Sequence, residues 1–160
     1  MSGVAYNSSG GILDTAHDIY NLQRFINAQE STFDVVQAEL AAGQKHTHWM
    51  WFIFPQIKGL GSSTTAQRFA IANLDEGAAY LEHPVLGRRL EKCTALVNAV
   101  ENGSVQDIFG YPDDLKFHSS MTLFAQVAEE FHFEAPVFRE ALAKFFTGRS
   151  DENTLSRISF

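Results

Sequence analysis

Apolar positions along this chain recur mostly at intervals of three and four residues, and the elements they predict are helices. Leu22, Phe25 and Ile26 share one helical face, in an element expected to begin near Asp14. Phe33, Val36 and Leu40 share another, behind a capping-box-like start at Ser31–Asp34 and before a stop at Gly43. Ser62 or Ser63 caps a short helix through Phe69 and Ile71, and a second short helix starts at Asp75. Leu86, Leu90, Cys93, Leu96, Val97 and Val100 form the longest amphipathic pattern, with Pro84 at the first helical position and Gly103 at the end. Ser104–Asp107 repeats the serine-to-aspartate start before a single turn ended by Gly110. From Asp113 onward, Leu115, Met121, Leu123, Phe124 and Val127 are interleaved with Lys116, His118, Ser119, Ser120 and Thr122, and part of the segment alternates; helix is favoured, with an extended start as the alternative. Pro136 opens a last long helix through Phe138, Leu142, Phe145 and Phe146, and Ser150 caps a final turn.

One stretch breaks the period. Trp49-Met50-Trp51-Phe52-Ile53-Phe54 is apolar without interruption and holds both tryptophans of the chain. Thr47 can cap it as a short helix, in which the two indoles point about 200° apart, one toward the core and one toward a pocket. A buried strand is the rival reading. Pro55 ends the element either way, because the residue before a proline is pushed out of helical geometry.

No hairpin dipeptide and no strand–helix alternation appears. The pattern therefore predicts an all-α fold: one compact domain of about eight helices, several of them short, over residues 13–160, with residues 1–12 as a flexible tail. A length of 160 residues and an apolar content of 45% suffice for a proper core. The net charge of −7 argues against a nucleic-acid or anionic-membrane surface. A single cysteine, Cys93, permits no internal disulfide and suits the cytoplasm, as does an N-terminus without a signal-peptide pattern.

The chemistry-bearing residues gather around the tryptophan stretch. Lys45, His46 and His48 precede it; Gln56, Gly59 and Gly61 follow it. His46 and His48 lack a third ligand at metal-site spacing, so polar residues at an element end are the simpler reading and no metal or cofactor is expected. His118 beside Ser119 and Ser120 has no nucleophile elbow, which leaves those hydroxyls for ligand binding or for close helix contacts. Cys93 reads as a small core residue. The loop at Gly59–Gly61 lacks the Gly-Lys-Ser/Thr of a phosphate loop, yet its amides can face an anion. Trp51 can stack on a planar ring, and Arg88, with Arg89 beside it, and Lys116 are anion clamps or solvated faces.

These residues also carry a resemblance. Leu22-x-x-Phe25-x-x-Ala28-Gln29, Lys45-x-x-His48-Trp49-Met50-Trp51-Phe52-Ile53-Phe54-Pro55-Gln56 and Gly59-Leu60-Gly61 resemble the bacterial DUF1810 family. So do Tyr80-Leu81-x-His83-Pro84-Val85-Leu86-Gly87-x-Arg89-Leu90, Asp107-Ile108-Phe109-Gly110 and Asp114-x-Lys116-x-x-Ser119-x-Met121-Thr122-Leu123-Phe124. The resemblance spans nearly the whole chain after the tail. It implies an all-α domain and brings no activity with it. The calpastatin label that some members carry does not suit a compact, aromatic-rich chain. A second, short and gapped similarity links Thr65–Phe69 and Leu86–Arg89 to the NADAR proteins, which act on ADP-ribose-type N-glycosidic bonds.

Two functions follow as expectations. One is a small-molecule-binding domain, extending to an N-glycosidase-like enzyme on ADP-ribose or nucleotide-type ligands. Trp51 would stack, Gln56 would donate hydrogen bonds, and Lys45, Arg88 or Lys116 would hold phosphate. His48, Gly59, Gly61 and Ser119 would complete the binding residues, with Asp114 as the candidate acid or base. The alternative is a non-catalytic protein-binding or adaptor module.

Overall fold

The computed structural model describes residues 5–6, 12–13 and 18–158. Ten helices carry the described chain: α1 (Gln23–Gln29), α2 (Phe33–Ala41), α3 (Met50–Ile53), α4 (Thr64–Arg68), α5 (Leu74–Glu82), α6 (Leu86–Asn98), α7 (Val105–Phe109), α8 (Asp113–Phe131), α9 (Val137–Phe146) and α10 (Glu152–Ile158). Ahead of them, β1 (Ala5–Tyr6) pairs antiparallel with β2 (Ile12–Leu13). The rest of the stretch read as a tail lies outside the described residues, as does the expected start near Asp14. The fold is all-α, with ten helices instead of about eight. The single turns read after Ser104 and Ser150 are the five-residue α7 and the seven-residue α10.

Helix α8 is the axis. Every residue from Ser119 to Ala125 is buried, which for a helix means neighbours on all sides. Helices α5, α7, α9 and α10 pack on it, α6 bridges to α9, and α2 packs on α6. The polar residues interleaved in this helix are absorbed locally. Thr122 donates to the His118 carbonyl and accepts the Asp151 amide, and Ser119 donates to the Leu115 carbonyl. That is how the segment stays helical despite its partial alternation. Aromatic rings fill the end of the core beneath the tryptophan stretch. Phe54 meets Phe117 and Phe109 edge to face at 5.0 and 5.8 Å, and Phe109 stacks on Phe117 at 4.8 Å.

Several ends differ from their expected caps. Asp18 accepts the amides of Leu22 and Gln23 and so caps α1. At α2 the cap position is Thr32, whose hydroxyl donates back to the Ala28 and Gln29 carbonyls, so no capping box forms at Ser31–Asp34. The box does form at Ser104 and Asp107. Ser63 caps α4, which stops at Arg68 and leaves Ile71 free to bridge Ile57. The amides of Val85 and Leu86 at the start of α6 point to Nδ1 of His83. Asp151, not Ser150, accepts the Thr154 amide at the start of α10.

Candidate functional site

The tryptophan stretch is held from behind by one carboxylate. Glu39 on α2 accepts the amides of His46 and Thr47, the Thr47 hydroxyl and the Trp49 indole N–H, all between 2.7 and 3.1 Å. Burial of Glu39 works to raise its pKa; these four donors outweigh it and bring the pKa down to about 2. Thr47 therefore spends its hydroxyl on Glu39 and does not cap α3. Trp49 is locked in the core at 1% exposure, whereas Trp51 is half-buried and faces a cavity. One indole is core and the other meets the cavity, but not by helical spacing: Trp49 precedes α3 at φ −139°, and Met50 and Phe54, expected on the Trp51 face, are buried while Phe52 is not.

After Pro55 the chain runs extended. The Ile71 amide donates to the Gln56 carbonyl and the Lys58 amide to the Ile71 carbonyl, each at 2.8 Å. This clip closes residues 56–71 into a loop that carries α4. Between the two limbs of the loop lies a cavity of about 250 Å³ lined by Trp51, Gln56–Gly59, Gly61, Ala66, Gln67, Phe69 and Ala70. Gly61 approaches α4 so closely that a Cβ there would sit 2.6 Å from Ala66 Cβ. Gly59 has φ +99°, a conformation other residues avoid.

Arg24 on α1 fixes the far limb. Its five N–H groups donate to the carbonyls of Arg68, Ala70, Tyr20 and Asn21 and to the Glu76 carboxylate. Glu76 in turn accepts the Ala72 amide. The cavity wall is thus preorganised by an arginine whose donors are all used. The Gln56 carboxamide, by contrast, makes no side-chain hydrogen bond among the described residues, so its donors and acceptor are free for a ligand.

Of the residues singled out by sequence, Trp51, Gln56, Gly59 and Gly61 line the cavity together. Lys116 touches it indirectly, with Nζ 4.8 Å from the Trp51 ring centroid. Lys45 and Lys116 share Asp113, at 2.8 and 3.3 Å, and Lys45 also lies 5.2 Å from the Trp49 ring. Asp114 is buried and does not line the cavity; its Oδ1 has no hydrogen-bond partner among the described residues. The Ser119 hydroxyl lies 3.0 Å from Asp151 Oδ2 as well as 3.1 Å from the Leu115 carbonyl, so its one proton is shared between α8 and the start of α10. His48 and Arg88 are exposed and lie off the cavity. The neighbouring Arg89 turns inward, with Nη1 donating to Gln29 while Gln29 donates to the Phe52 carbonyl and the Tyr80 hydroxyl. Among the described residues, no group of three or more His, Cys, Asp or Glu side chains is placed to hold a metal ion.

Sequence reasoning missed Lys58, Gln67 and Phe69 as cavity residues. Lys58 had a signal, its position beside Gly59. Phe69 had none, because an apolar residue at the end of a short helix reads as core.

A second concavity of about 630 Å³ opens between the end of α8 and the start of α9, with Ala125, Ala128, Phe133 and Pro136 on its floor. An exposed Glu129–Arg139 ion pair at 2.8 Å stands on its rim. No described helix is long and apolar enough to cross a membrane.

Comparison with known proteins agrees with this architecture. The model of DUF1810, described as a protein of unknown function, matches residues 19–158. The crystal structure of the conserved hypothetical protein Rv1873 from Mycobacterium tuberculosis is similar, with a TM-score of 0.85 and 47% sequence identity over 89% of this chain and 99% of that one. No curated protein matches the chain.

Proposed function

The chain belongs to the DUF1810 family of proteins of unknown function, and we propose from the cavity alone that it binds a small molecule bearing a planar, nucleobase-like ring. The observation that carries this reading is the meeting of the Trp51 indole with the unpaired Gln56 carboxamide in one preorganised cavity. An aromatic face supplies stacking, and a free amide supplies paired donor and acceptor atoms of the kind a heteroaromatic ring edge presents. Drug-sized ligands fill roughly 300–1,000 Å³, so the smaller volume here suits one ring system, with the remainder of the ligand lying outside.

Hydrolysis of an N-glycosidic bond would need a carboxylate at the ring. The cavity lining contains no Asp or Glu, and Asp114 lies apart from it. The reading therefore stops at binding. A protein-binding role would use the open groove between α8 and α9 instead.

The test is a thermal-shift screen with nucleobases, nucleosides, nucleotides, NAD and ADP-ribose, repeated on Trp51→Ala. The reading expects at least one ring compound to raise the melting temperature of the native chain and to leave the variant unmoved. Equal shifts in both proteins, or none with any compound, would remove its support.

A further inference from the structure

We propose that Arg157 is the anion-binding residue of this cavity, and that the ligand is a planar ring carrying a phosphate, as in a nucleoside monophosphate. The proposal rests on the reading of the cavity given above. Arg157 stands on the last turn of α10, distant in sequence from every cavity residue. Its guanidinium nevertheless lies directly over Gly59, where a Cβ would come within 2.7 Å of Nη1 and 3.0 Å of Cζ. Gly59 lines the cavity and Arg157 does not, so the guanidinium lies against a lining residue, one residue's thickness from the space itself.

The chain employs its other inward or paired arginines structurally. Arg24 is consumed by four carbonyls and Glu76, Arg89 by Gln29, and Arg139 by Glu129. Arg157 is exposed and has neither an ion pair nor a hydrogen bond among the described residues. Lys58, which lines the cavity, is also exposed and has no carboxylate partner there. Two unpaired cations beside a lining without Asp or Glu make this a positive spot on a chain of net charge −7. A guanidinium offers its donors as a planar fork that matches two phosphate oxygens at once, and the neighbouring ammonium adds a point charge. The glycine is part of the device: a side chain at position 59 would both strain the backbone and push the guanidinium away from the lining.

The experiment is calorimetric titration of the full chain with matched pairs of probes: adenosine, guanosine, cytidine, uridine and nicotinamide riboside, each against its 5′-monophosphate, plus inorganic phosphate alone. Native protein, Arg157→Gln and Trp51→Ala are compared after circular dichroism confirms that each is folded. For the pair that binds, the monophosphate should bind at least about tenfold tighter than the nucleoside, which is the scale of one charge-assisted contact. In Arg157→Gln that gap should fall below about threefold while nucleoside affinity holds. Trp51→Ala should lose nucleoside and monophosphate alike. If nucleoside and monophosphate bind the native chain equally, or the gap survives in Arg157→Gln, the assignment of Arg157 is overturned and the ring site stands. If no probe binds the native chain, both fall together.

Discussion

The indole N–H of Trp49 donates to the Glu39 carboxylate at 2.9 Å, and the same carboxylate gathers two backbone amides and the Thr47 hydroxyl. One acid thus sets where the tryptophan stretch begins, and with it where Trp51 points. Its pKa is held at about 2 against an ordinary 4.5. A depressed carboxylate pKa stabilises the fold above the unfolded value and loses that contribution as pH falls toward the folded one. The stability supplied by Glu39 is therefore expected in full above pH 4.5 and to disappear between 4.5 and about 2. Glu39→Gln should cost on the order of 2 kcal/mol at neutral pH and should flatten the acid limb of stability against pH. Urea denaturation of both proteins across that range checks it.

Arg24 offers a second test. Because all five of its donors are used, Arg24→Lys is not conservative. Three of those bonds end on the limb of the cavity that runs from Arg68 to Glu76. The variant should lose about 2–3 kcal/mol of stability. Hydrogen exchange should accelerate at the amides of residues 68–72 more than in α8. Uniform acceleration across the chain would point to a global effect instead.

The helices were legible in the sequence because period and punctuation are local. The pattern from Leu86 to Val100 became α6, the Ser104–Asp107 box formed, and Pro55 ended the tryptophan helix. The cavity was partly legible for the same reason: Trp51, Gln56, Gly59 and Gly61 lie within a few residues of one another. What failed to show was every pairing across the fold. Helical period says which face turns inward, but not which polar atom waits on the opposite element. Lys45 and Lys116 meet Asp113, Ser119 meets Asp151, and Arg89 meets Gln29, so side chains that looked available for ligand are already engaged. Arg157 is the converse case, an ordinary surface arginine in the sequence that tertiary structure carries onto Gly59, a residue of the cavity lining.

Cys93 is fully buried on α6, and burial pushes its thiol pKa up to about 12. The thiolate is the reactive species, so the native protein should resist a thiol reagent at pH 8, reacting at least about a hundredfold more slowly than the unfolded chain. One equivalent should react once denaturant is added. Rapid labelling of the native protein would show that α6 opens locally far more often than its packing implies.

The central claim is that the Trp51 cavity takes a planar ring, and the two indole N–H resonances of the ¹H–¹⁵N spectrum test it most directly. One belongs to Trp49, locked on Glu39, and one to Trp51. Titration with the compound that shifts the melting temperature should move the Trp51 indole, the Gln56 side-chain amide and the Gly59 and Gly61 backbone amides together, while the Trp49 indole stays in place. Shifts centred instead on the groove at Phe133 and Arg139, or a Trp51 resonance unmoved at saturation, would contradict the account.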